Sequence, residues 1–209
     1  MSDKPESSVL AWARKVQAIA QTGLHFTQNA FDRERFTKLK ELTDELVAAE
    51  LDIPLGEARA IWDKEVGYAT PKVGVRGGVF DGDEVLLVRE RADGKWALPG
   101  GWVDVGESPS GAIEREILEE SGYSARAVKL AMLIDRNKHP FAPAPYHVYK
   151  LYFLCERTGG VARTSSETDD VGFFPLNALP ELSPIRTLRS QIERLYVHHC
   201  NRALATDFD

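Results

Sequence analysis

At residues 67–71, Gly-Tyr-Ala-Thr-Pro, the hydrophobic period of the chain changes, and few architectures accommodate that change. Upstream, apolar residues recur on the 3.6-residue beat of amphipathic helices. Val9, Trp12, Ala13, Val16, Ile19 and Ala20 form one run, and Phe36, Leu39, Leu46 and Val47 a second. Leu55, Ala58, Trp62 and Val66 make a third that opens after Pro54. Three helices are expected, with Trp12 and Trp62 as core or interface anchors. Downstream, the segments KVGVRGGVF and EVLLVRE are strand-like and flank Asp81-Gly82, a favoured hairpin turn. A helix from Ser108 to Gly122 follows, then strands near 125–135, 145–156 and 171–174, and a helix from Pro184 to about His199. This order predicts an α/β domain over 68–209, preceded by a small all-α extension over 1–67. The chain has no internal repeat and no low-complexity tract.

Chemistry concentrates in residues 101–123, GWVDVGESPSGAIEREILEESGY. Ser108 is a favoured N-cap, Pro109 suits the first helical position, and Gly122 is a natural residue to end the helix. Within that helix Glu116, Glu119 and Glu120 stand at i, i+3 and i+4, so their carboxylates share one face. Like charges so placed cost about 0.2–0.5 kcal/mol per pair unless a cation sits among them. A segment with oxygen donors and no histidine or cysteine suits Mg2+ or Mn2+ and argues against zinc. Pro99 and the glycines at 100 and 101 allow a backbone path that brings carbonyl groups close to that face. Arg115 is positioned to orient one carboxylate while the others bind metal.

Gly101, Glu107, Arg115, Glu116, Glu119, Glu120 and Gly122, with Ile117 and Tyr123 at the apolar positions, match the whole Nudix box, and the chain resembles a Nudix hydrolase. The resemblance implies an α/β/α sandwich with a mixed sheet. It also implies an enzyme in which water attacks phosphorus in a pyrophosphate bridge with the help of Mg2+ or Mn2+. Carried over by position, Glu116, Glu119 and Glu120 are the metal ligands, Gly100 adds its carbonyl, and Glu107 supports the loop and helix. Arg115, Glu116 and Glu119 belong to the catalytic set. A further glutamate often comes from a later loop in this family, and Glu167, six residues before Phe173, is the candidate.

The segments WARKVQAIAQTGL, EVGYATPKV, KHP, YHVYK and LPELS extend the resemblance over nearly the whole chain, to bacterial CDP-choline pyrophosphatase-like proteins often labelled ADP-ribose pyrophosphatases. The implied substrate is a small nucleotide, CDP-choline first, cleaved to CMP and phosphocholine, with ADP-ribose as the alternative. An RNA-processing Nudix enzyme and a non-catalytic Nudix-fold sensor are the other classes. Eroded boxes are common in such sensors, so the intact glutamates argue for turnover. Helical extensions of this kind pack a dimer or wall off a cleft, and a homodimer is expected. Arg76 and Arg89, on predicted strands, can grip phosphate oxygens in the bidentate way of arginine. His139 and Tyr146, in the loop DRNKHPFAPAPYH, can contact a base or the distal group.

A net charge of −6 disfavours a dedicated binder of long nucleic acid, which carries a basic surface. With two cysteines a disulfide framework is not expected, and Cys155 reads as a buried thiol in a strand. No stretch reaches the ~18 apolar residues of a membrane span, and MSDKPESS lacks the apolar core of a signal peptide, so a cytoplasmic protein is expected.

Overall fold

The computed structural model describes residues 8–209, and the first seven residues of the MSDKPESS segment lie outside it. The described chain divides into two compact units, one within Met1–Pro71 together with Ala142–His147, the other Lys72–Phe141 together with Val148–Asp209.

The first unit holds helices α1 (Ser8–Phe26), α2 (Ala30–Leu51) and α3 (Leu55–Trp62). Asn29 caps α2, its side chain accepting from the N–H groups of Phe31 and Asp32, and Asp52 ends it in the left-handed region. The core is Leu10, Ala13, Val47, Ala58 and Trp62. The buried face of α1 therefore runs through Leu10, Ala13, Gln17 and Ala20, while Trp12 and Ile19, expected on it, are exposed. Gln17 is admitted because its side-chain oxygen accepts from Thr43 Oγ1 at 3.1 Å. Val66 lies beyond the end of α3 and is exposed. Residues 142–147 join this unit through Arg14, which donates to the Ala144 carbonyl, and Tyr146, whose hydroxyl donates to that of Ile61 at 2.9 Å.

The second unit is a seven-stranded mixed sheet. Its strands are β1 (Lys72–Asp81), β2 (Glu84–Glu90), β3 (Trp96–Ala97), β4 (Tyr123–Asp135), β5 (Val148–Gly160), β6 (Thr168–Pro175) and β7 (Asp207–Phe208). They run in the order β3-β2-β1-β5-β4-β7, with β6 also paired to β2. β1 and β5 are parallel, as are β4 and β7, and the remaining pairs are antiparallel. Helices α4 (Pro109–Ser121) and α5 (Arg189–Cys200) pack on this sheet.

Adjacent glycines in β1 show that the helices lie on opposite faces. A Cβ at Gly77 would stand 2.8 Å from Ile117 Cδ1 of α4, and one at Gly78 would stand 3.1 Å from Leu195 Cδ1 of α5. Neighbouring strand residues point to opposite sides, so each missing side chain admits one helix. Val75, Val79 and Phe153 pack with Ile113 and Ile117, while Tyr152, Leu87 and Leu98 pack with Ile192 and Leu195. Some expected bounds change, and the strand expected near 145–156 spans Val148–Gly160. α5 begins at Arg189 rather than Pro184, because the Arg186 and Thr187 N–H groups turn back to the Ser183 carbonyl. The strand expected at 171–174 spans Thr168–Pro175. No helix among the described residues is long and apolar enough to cross a membrane.

Candidate active site

Helix α4 carries the acidic face, and its ends form as the side chains dictate. Ser108 Oγ accepts from the Gly111 N–H at 3.1 Å, and Gly122 closes the helix at φ 76°. The extended loop before it is tied to β1 by bonds from Val75 N–H to the Gly101 carbonyl and from Val103 N–H to that of Val73. Gly100 takes φ 142°, and a Cβ there would overlap the Val75 carbonyl oxygen. This path delivers the Gly100 N–H to Glu120 Oε2 at 2.7 Å. A Cβ on Gly101 would stand 2.5 Å from Glu116 Oε1. The two glycines thus let the backbone meet two of the glutamates.

Arg115 links three carboxylates. Its Nε and Nη2 each donate to Glu107 at 2.9 Å, and Nη1 donates to Glu116 and to Glu119, each at 3.0 Å. Glu107 also accepts from the Asp104 N–H at 3.4 Å, which ties loop to helix. Hydrogen bonding to Arg115 holds the Glu107 carboxyl below its ordinary range. Glu120, only 5% exposed, behaves oppositely: burial pushes it up to about 8, with Glu90 and Glu116 adding to the rise. Burial also raises Glu116, against the hydrogen bond from Arg115.

Gly100, Gly101, Arg115, Glu116, Glu119 and Glu120 line an open cleft of about 330 Å³ with Arg76, Glu90, Trp102, Asp104, Glu167 and Arg186, and Glu107 stands outside its lining. Of the residues read from the sequence, the cleft gathers Arg76, Gly100, Arg115, Glu116, Glu119, Glu120 and Glu167. Arg76 donates to the Leu98 carbonyl at 2.8 Å. The cleft does not gather Arg89, His139 or Tyr146. Arg89 is engaged by Asp169 at 2.6 Å and Asp170 at 3.7 Å, and His139 faces Asp209 at 3.1 Å. Tyr146 packs against the core of the helical unit.

Four lining residues were not expected. Glu90 ends β2 almost fully buried and pairs with Arg186 at 2.9 Å; Arg186 also reaches Asp93 at 3.3 Å. Its alternation with Leu86 and Val88 was the available signal for Glu90. Arg186 sits in the turn before α5 and gave none. Trp102 and Asp104 lie inside the 101–123 segment, where the sequence reading gave them no role.

No three His, Cys, Asp or Glu side chains among the described residues are placed as a finished ion cage, and Arg115 is the cation that Glu116 and Glu119 share. The donor chemistry nonetheless fits a hard divalent ion. Glu116, Glu119 and Glu120 offer only oxygen, and the burial that raises Glu116 and Glu120 is what a nearby positive ion offsets.

Comparison with known proteins identifies the family. The Nudix domain matches residues 70–196, and a second domain, described as the UDP-X-like N-terminal oligomerisation domain, matches residues 7–62. The chain therefore belongs to the Nudix family, as a hydrolase carrying this N-terminal domain. It is 41% identical over 193 residues to the Bacillus subtilis protein named "Putative ADP-ribose pyrophosphatase YjhB", covering 92% of this chain and 93% of that one. Among solved structures, an ADP-ribose pyrophosphatase from Streptococcus suis is 35% identical with a TM-score of 0.62, covering 67% of this chain and all of that one. A UDP-X diphosphatase is 32% identical with a TM-score of 0.62 over 99% of this chain and 100% of its own. Nudix hydrolases generally use divalent metal ions.

Proposed function

We propose that this protein hydrolyses the diphosphate bridge of a nucleoside diphosphate linked to a small group, with Mg2+ or Mn2+. The observation that carries the reading is Glu120, a buried carboxylate anchored on the Gly100 N–H and sharing a cleft with Glu116, Glu119 and Glu167. Glu116, Glu119 and Glu120, with the Gly100 carbonyl, would hold the ion. When bound, it supplies charge neutralisation at the phosphate oxygens and acidifies water. Arg115 keeps Glu116 and Glu119 in place. Arg76 and Arg186 bring positive charge to the same cleft and suit phosphate oxygens. Glu167, which arrives from the loop before β6, is the carboxylate assigned to take a proton from water.

The names of the full-length relatives favour ADP-ribose and UDP-linked groups, while CDP-choline rests on the N-terminal sequence resemblance alone. We read residues 1–67 as a dimerising extension and 68–209 as the catalytic domain, in keeping with the description of the matched N-terminal domain.

The test is a panel of ADP-ribose, UDP-glucose, CDP-choline and 5′-triphosphorylated RNA incubated with Mg2+ or Mn2+, with products separated by chromatography. Two monophosphates from one or more of the diphosphate-linked nucleotides support the reading. Turnover confined to RNA, or tight binding without turnover, overturns it. Sedimentation of the intact chain and of one lacking residues 1–66 tests the extension: dimer and monomer are the expected species.

A further inference from the structure

Trp102 stands in the cleft without a part in the chemistry so far described. Its backbone is fixed, because Trp102 bridges Gly74 in antiparallel fashion and the bonds of Gly101 and Val103 to β1 bracket it. Its ring is seated as well. A Cβ at Gly74 would lie 3.8 Å from indole Cε3 and Cζ3, so the benzo edge rests where β1 has no side chain. Yet the residue is 50% exposed and lines the same cleft as Glu116, Glu119 and Arg76. A large aromatic side chain ordinarily hides such surface, and an anchored one that leaves it open beside ionic groups offers a flat face to a ligand.

We infer that Trp102 is a stacking platform for the nucleobase of the substrate, and so a specificity-determining residue; this rests on the nucleotide reading of the cleft. The remaining cleft walls are ionic or glycine, so no other aromatic ring lines the cleft among the described residues. Every nucleobase presents a π-face, and stacking on an aromatic side chain discriminates base from no base more than one base from another. The expected signature is a gain for base-bearing ligands that is tolerant of base identity.

The experiment measures equilibrium binding of AMP, UMP, CMP and ribose 5-phosphate to the full chain and to the Trp102→Ala and Trp102→Phe variants, with circular dichroism to verify folding. Wild type should bind the three nucleotides about 5- to 150-fold more tightly than ribose 5-phosphate, the range that one stacked base provides. Trp102→Ala should bring all four ligands to similar affinity, and Trp102→Phe should restore most of the difference. A preference for base that survives in Trp102→Ala, or that wild type lacks, overturns the inference. Because binding is read without turnover, failure to hydrolyse any diphosphate would count against the proposed reaction and leave this outcome separately legible.

Discussion

The Gly100 N–H donates to Glu120 Oε2 at 2.7 Å, joining the loop before α4 to the most buried acid of its charged face. The bond exists because Gly100 adopts φ 142° against the Val75 carbonyl, where no side chain fits. Replacing Gly100 by alanine should cost about 2–4 kcal/mol, from backbone strain together with overpacking. Urea unfolding measures it; a loss below about 0.5 kcal/mol would show that the loop can reach Glu120 by another path.

Gly101→Ala should separate stability from activity. Its Cβ would meet the tip of the Glu116 side chain, which can swing away, so folding should change by less than about 1 kcal/mol. The displaced carboxylate should weaken Mn2+ affinity by about 10–100-fold, measurable by electron paramagnetic resonance.

Arg115→Lys tests the fork that holds Glu107, Glu116 and Glu119 together. A lysine ammonium cannot reproduce the planar geometry that spans three carboxylates. Metal affinity should fall about 10–100-fold with the fold retained. Equal Mn2+ affinity in the variant would remove Arg115 from the positioning role.

Much of this site is legible in the sequence because its information is local. Ser108, Gly122 and the i, i+3, i+4 glutamates lie within one helix and its caps. The rest depends on partners far along the chain. Glu90 and Arg186 meet only when β2 and the turn before α5 are brought together; strand alternation hints that Glu90 is buried, but nothing local names its partner. His139 looked available because its partner Asp209 is 70 residues away. In α1, apolar residues occupy more than one face, so periodicity finds the helix but not the side that Leu10 and Gln17 bury. β3 and β7 are two residues each, too short to show a period.

The segment after α5 gives a pH prediction. Asp207 pairs with Arg194 and His198, and the hydrogen bond from Arg194 foremost lowers its carboxyl to about 2. A depressed carboxyl contributes stability above its unfolded value near 3.9, and that contribution is lost as pH falls through about 2. Asp207→Asn should therefore be less stable than wild type at pH 5–6, and the gap should close between about pH 4 and 2. A gap independent of pH in urea unfolding would contradict the ion-pair account.

The proposed reaction places metal-dependent hydrolysis on the α4 carboxylates. The most direct measurement is the rate of ADP-ribose and UDP-glucose cleavage in Mg2+ by wild type and by Glu120→Gln, with folding verified for both. Wild type should give paired monophosphate products, and the variant should lose at least about a thousandfold in rate, as expected when several kcal/mol of charge stabilisation are removed. A Glu120→Gln rate close to that of wild type would contradict that placement.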